Sequence, residues 1–228
     1  MQERQWSASM ICTKVTEAKD TISVLNSHKL DYLHIDVMDG TFVPRLGMYP
    51  ELVAEFKALT QIPIEVHMML DQPIEYIRVF ADSGADIITV HFEACRDNLF
   101  RVIDEINRLG VKVGIALNPL TDWENISQYN HYIDYLLLMG INPGILNQSP
   151  FALLKNKIHK YSSIFKATQS NTKIIVDGGV TKKNANSLFD AGANVLVGGS
   201  QTIFHKEFSI SENLYQLRSI QETCHATI

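Results

Sequence analysis

The feature that most constrains this chain is a pair of patterns that repeats along nearly its whole length: a short apolar run, then a helical stripe. The runs cover residues 6–12, 32–38, 64–69, 87–91, 111–117, 135–139, 173–176 and 195–197. Each is short and rich in Val, Ile and Leu, as strands buried on both faces should be. The intervals carry helix signals. Leu99, Val102, Ile103, Ile106 and Leu109 fall on one helical face, and Gly110 follows as a stop. Asp71 or Gln72 precedes Pro73 at a first helical position. Val15, Ala18, Ile22 and Leu25 share a stripe, Thr181 reads as an N-cap, and Gly192 ends the helix it opens. Alternating strands and helices predict a parallel sheet with helical crossovers. Eight such units in 228 residues suit one closed (β/α)8 TIM barrel over residues 1–228. An open doubly wound sheet is the alternative, weakened because no Gly-rich dinucleotide turn follows the first run.

Composition narrows the classes of partner. With 46% apolar and 20% charged residues the chain reads as an ordinary globular protein. A formal net charge of -5 without a basic run argues against nucleic acid or a membrane surface as the main partner. A small anionic ligand stays open, because a few backbone N–H groups can bind a phosphate. Cys12, Cys95 and Cys224 are odd in number and widely spaced, so no disulfide framework or zinc ribbon is expected. No signal segment and no apolar run of transmembrane length is visible, which makes the cytoplasm the expected compartment. The glycosylation sequons at 125–127 and 147–149 would go unused there.

The polar residues that interrupt the apolar runs carry the chemistry. In a barrel of this kind functional groups sit at the C-terminal strand ends and in the loops that follow. In 33–38, side-chain alternation puts His34, Asp36 and Met38 on one face and Ile35 and Val37 on the other. The apolar face should meet the helices, so His34 and Asp36 point into the barrel. The same logic turns His67 and Met69 inward in 64–69, and Asp177 ends the seventh run ahead of Gly178 and Gly179. Two imidazoles and two carboxylates converging at a barrel mouth suit a divalent metal. A lone inward histidine is more often a hydrogen-bonded core residue, and Met38, Met69 and Met139 read by spacing as gap-fillers. A buried carboxylate without a partner is costly, however, and three strands ending in such groups are hard to explain as packing.

These segments resemble the ribulose-phosphate 3-epimerase family. The matching stretches, in order, are 34–39 with 42–44, 66–69, Asn118-Pro119, Leu138-Met139, 142–144, 176–180, 191–193, and Gly199-Ser200. The similarity runs from about Ser9 to Phe204. The resemblance implies that His34, Asp36, His67 and Asp177 are metal ligands for one divalent ion (Zn, Mn, Fe or Co), with Asp36 and Asp177 also the acid–base pair. It implies substrate contacts at Ser9, His67, Met38, Met69 and Met139. It places the phosphate at loops that contain Gly144, Gly178, Gly179, Gly199 and Ser200. It also implies a homo-oligomer, a dimer or a hexamer. The reaction implied is 3-epimerisation of a ketose phosphate, first D-ribulose 5-phosphate to D-xylulose 5-phosphate, with a hexulose phosphate such as D-allulose 6-phosphate as the alternative.

The chain departs from the family in three places. The loop after the sixth run reads Asn142-Pro-Gly-Ile-Leu-Asn-Gln148, with Leu146 and Asn147 in place of paired glycines that hold the phosphate. The proline before Ser9 and the Ala-Asp after the first run are missing. Arg45 stands where asparagine is common; it reads either as a solvated loop residue or as a ligand contact that supplies charge lost from the altered loop, and Asn147 is a further candidate substrate contact. The changed loops also suit a catalytically weak sugar-phosphate-binding or regulatory barrel. The complete set of expensive inward polar groups weighs against that reading.

Overall fold

The computed structural model describes residues 3–145 and 148–222, so the expectations for Leu146, Asn147 and Cys224 lie outside the described residues. Eight parallel strands close into a barrel in sequence order: β1 (Gln5–Ser9), β2 (Tyr32–Met38), β3 (Ile64–Met69), β4 (Ile87–His91), β5 (Lys112–Leu117), β6 (Tyr135–Met139), β7 (Lys173–Asp177) and β8 (Val195–Gly198). The ring shuts where β1 pairs with β8, Gln5 opposite Val195 and Ala8 opposite Gly198. Helices cover the outside: α1 (Ala18–Ser27), α2 (Pro50–Leu59), α3 (Ile77–Asp82), α4 (Phe92–Cys95), α5 (Leu99–Arg108), α6 (Leu154–Ala167), α7 (Ala185–Ala191) and α8 (Ile210–Glu222). The closed TIM barrel is therefore the observed architecture, and the open sheet is ruled out. Among the described residues no helix is long and apolar enough to cross a membrane.

Local chemistry explains most boundaries. In α5 the buried residues are Leu99, Val102, Ile103 and Ile106, the stripe that 3.6-residue periodicity demands, and Gly110 follows at φ +72°. Ahead of α7 the Thr181 hydroxyl accepts the Asn184 amide while the Asn184 side chain accepts the Thr181 amide. This reciprocal pair satisfies two otherwise orphaned donors, so Thr181 caps the turn that leads into the helix, whose own N-cap is Asn184 rather than the expected Thr181.

Four expectations need correction. The first strand stops at Ser9, because residues Met10–Cys12 turn into a 3-10 helix. The fifth starts at Lys112 rather than Val111. Val15 lies in a 3-10 turn ahead of α1 and is 64% exposed, whereas Ala18, Ile22 and Leu25 are buried. Pro73 opens a 3-10 turn rather than an α-helix, neither Asp71 nor Gln72 caps it, and α3 begins at Ile77. Strict alternation also fails once: β5 and β6 are joined through 3-10 turns, Trp123–Asn125 and Ser127–Tyr132.

Register decides what meets inside the barrel. Between β2 and β3, His34 lies opposite Glu65, Asp36 opposite His67 and Met38 opposite Met69. The inward residues are thus stacked in layers toward the C-terminal mouth. The segment after β2 folds back on its strand, with Asp39 bridged to Leu46 and the Gly47 and Met48 amides bonded to the Met38 and Asp36 carbonyls. Gly47 is required there, since a Cβ would stand 2.5 Å from the Asp36 carbonyl oxygen.

Candidate active site and metal centre

At the C-terminal mouth the structure brings together His34 and Asp36 from β2, His67 from β3 and Asp177 from β7. One ligand atom from each lies within 4.8 Å of all the others. His34 Nε2 is 3.3 Å from an Asp36 oxygen and 3.8 Å from an Asp177 oxygen. His67 Nδ1 is 3.6 Å and 3.5 Å from the same two oxygens. Both rings are fully buried, and these two inward nitrogens have no hydrogen-bond partner among the described residues. Each ring's other nitrogen is engaged: His34 Nδ1 with Glu65 at 2.8 Å, His67 Nε2 with His91 at 2.9 Å. Two orphaned imidazole nitrogens and two carboxylates aimed at one point are what a divalent cation fits, and the N2O2 donor set suits it.

The electrostatics are those of a site built for positive charge. Burial works against the Asp36 carboxylate, but His34 and then His67 outweigh it and hold that carboxyl below the usual range. Ser9 also donates to Asp36, at 2.8 Å. Burial opposes charge on His34 as well, yet Glu65 and Asp36 push its pKa well above the ordinary imidazole value. His67 follows suit, with burial opposed by Asp177 and Asp36.

Supporting residues escaped the sequence reading. Alternation also places Glu65 inside the barrel, but nothing local says what could neutralise a fully buried carboxylate. The answer is His34, 31 residues away, together with Thr89, which donates to the other Glu65 oxygen at 2.7 Å. Gly114 makes room for that contact, since a Cβ there would stand 2.2 Å from the Thr89 hydroxyl. His91 and Glu93 were likewise missed; the only local signal was an imidazole at a strand end.

A cavity of about 480 Å³ opens over the cluster. Its walls include Ser9, Met38, Met69, Met139, Gly144, Gly178, Gly179, Gly199, Ser200 and Arg45, so these predicted contacts share one pocket with Asp36 and Asp177. Met38, Met69 and Met139 are buried in the barrel mouth. Gly178 and Gly179 both have positive φ, +88° and +70°, which leaves bare backbone facing the cavity. The loop after β6 is braced by Asn142, whose amide donates to Gln148 at 2.9 Å. His34 and His67 are fully buried and are not among the residues that line the cavity; they lie beside its Asp36 and Asp177 carboxylates.

A model of the ribulose-phosphate 3 epimerase family matches residues 5–204. The ribulose-phosphate 3-epimerase of Bacillus subtilis is 42% identical over 171 residues, covering 75% of this chain and 78% of its own. The protein of that name from Helicobacter pylori is 35% identical over 202 residues, covering 88% and 91%. The chain belongs to the ribulose-phosphate 3-epimerase family. Its enzyme class is therefore that of an isomerase, a carbohydrate epimerase. The chloroplastic ribulose-5-phosphate-3-epimerase of Arabidopsis thaliana is 34% identical, covering 89% of this chain and 73% of its own. Among solved structures, KGPDC from Streptococcus mutans superposes with a TM-score of 0.75 over 98% of this chain and 99% of its own. Its 11% identity makes that a likeness of fold alone. In this epimerase the His34, Asp36, His67 and Asp177 cluster is a group that could hold a metal ion.

Proposed function

We propose that the protein epimerises C3 of D-ribulose 5-phosphate, giving D-xylulose 5-phosphate, with Asp36 and Asp177 as the proton-transfer pair. The observation that carries this reading is two carboxylates from strands β2 and β7 beside orphaned imidazole nitrogens at the floor of one cavity. One aspartate removes the C3 proton. The electron pair of that C–H bond becomes the C2–C3 double bond as the carbonyl pair moves onto oxygen, giving an enediolate. The other aspartate delivers a proton to the opposite face, and C3 is inverted. A divalent metal held by His34, Asp36, His67 and Asp177 would supply the positive charge that stabilises the enediolate. Ser9 orients Asp36 through its hydroxyl. The methionines present apolar surface that keeps water from the reacting carbon. The phosphate is held by the backbone of the loops after β7 and β8 (Gly178, Gly179, Gly199, Ser200) and the turn at Gly144, helped by Arg45.

The test is isotope exchange. Manganese-loaded protein incubated with ribulose 5-phosphate in deuterated water should form xylulose 5-phosphate carrying deuterium at C3. No exchange and no product would overturn the proposal, and a preference for allulose 6-phosphate in a parallel incubation would reassign the substrate.

Arg45 lines the same cavity and is only partly exposed. Arg45→Ala should raise KM for the phosphorylated substrate about tenfold, roughly 1.4 kcal/mol of binding, with kcat within a few-fold of the parent. Steady-state kinetics with unchanged KM would return Arg45 to the role of a solvated loop residue.

A further inference from the structure

Resting on the metal reading above, we propose that His91 and Glu93 are positioning residues for His67, with His91 accepting the Nε2–H of His67 so that Nδ1, facing Asp36 and Asp177, is the nitrogen left to the metal. His67 Nε2 and His91 Nε2 are 2.9 Å apart, with the centroids 5.0 Å apart and the ring planes only 21° from parallel, so the rings meet edge to edge. Only one proton fits between two ring nitrogens at that distance, so one ring donates and the other accepts. What lies beyond His91 decides which. Its Nδ1 faces an oxygen of Glu93 at 3.4 Å. The other Glu93 oxygen accepts the Asn118 amide at 2.8 Å and the Thr121 hydroxyl.

Those two donors need a carboxylate that accepts, and a carboxylate facing His91 calls for a proton on Nδ1. A neutral His91 then offers only a lone pair at Nε2, and His67 must carry the proton between them. The reverse tautomer would turn the bare Nδ1 of a fully buried imidazole, one lone pair, toward an acceptor-only oxygen.

Lys157 on α6 holds the far end of this chain. Its ammonium group donates to the carbonyls of Asn118 and Pro119, each at 3.1 Å, and to that of Thr121. It thereby fixes the loop after β5 that supplies the donors to Glu93. The two ligand histidines are thus oriented by different means. The outer nitrogen of His34 meets the Glu65 carboxylate directly, whereas the outer nitrogen of His67 reaches that of Glu93 through a second imidazole. Partners of this kind set the tautomer and the aim of a metal-binding histidine.

The decisive measurement is the tautomer of His91 in the unsubstituted protein, read by long-range proton–nitrogen correlation spectra of histidine-labelled material, with or without metal. The expected result is a neutral ring protonated at Nδ1; a proton on Nε2 overturns the proposal. The second measurement is zinc affinity by competition with a chromogenic chelator. His91→Phe keeps an aromatic ring at this place but cannot accept, and should weaken zinc binding about 10- to 100-fold. His91→Gln, which restores an acceptor, should return the affinity to within about threefold of the parent. A folded His91→Phe protein with parental zinc affinity, or a glutamine variant no better than phenylalanine, refutes it. Should His91→Phe not fold, Glu93→Gln is read in its place, with a smaller loss of affinity expected and none counting against the proposal. Failure of the parent itself to bind zinc sinks the metal reading instead, and the His91 tautomer still decides this inference.

Discussion

Asp177→Asn should give a folded protein whose interconversion of the two pentulose phosphates falls by about 10³-fold, roughly 4 kcal/mol of transition-state stabilisation. Folding should survive because the structural duties of this position belong to its backbone. The Asp177 carbonyl accepts the Gly140 amide at 2.7 Å, and the residue pairs in register with Met139. Its side chain is shorter of partners than that of Asp36 and keeps 16% exposure at the cavity wall. Asparagine matches it in shape but cannot take a proton. A two-carboxylate mechanism predicts more than loss of rate. Asp36 remains able to exchange the C3 proton that faces it, so one epimer, and not the other, should still take up deuterium without being converted. Near-parental turnover in the folded variant would remove Asp177 from proton transfer, and equal exchange in both epimers would point to a single base.

Stripping divalent metal with a strong chelator should abolish turnover, and adding back zinc or manganese should restore it. Chelator-insensitive turnover would count against the metal centre. The site also predicts how metal affinity depends on pH. Without metal, burial disfavours charge on His34 and His67, but Glu65, Asp36 and Asp177 override it and raise both pKa values. Protons therefore compete for the two nitrogens that the metal needs, and they do so above the ordinary imidazole range. The Asp36 carboxyl, shifted the other way, stays ionised and adds no competition. Binding must release up to two protons, so affinity should fall as pH is lowered, by up to about 100-fold per pH unit while both rings titrate. Competition titrations at about pH 6 and about pH 8 would measure this. Equal affinity at both would mean that His34 and His67 do not bind the metal.

Much of the site was legible before any coordinates, for a local reason. Side chains alternate along a strand whatever its neighbours do, so Ile35 and Val37 identify the outer face of β2 and leave His34, Asp36 and Met38 inside. The same two-residue period places His67 and Met69. Buried strands and α5 were legible because their apolar periodicities need only a window of ten residues or so. The end of β1 was not, since Met10–Cys12 is as apolar as a strand and yet forms a 3-10 turn.

Sequence alone therefore determined the barrel, the family, and the four groups that converge at its mouth. Tertiary structure alone decided what holds those groups in place. Glu65 finds His34, Thr89 finds Glu65, and His91 finds both His67 and Glu93 through strand register and loop approach across 24 residues or more in most of these pairs. A hydrogen bond depends on distance and direction in space, and neither is encoded in the spacing of residues along separate strands.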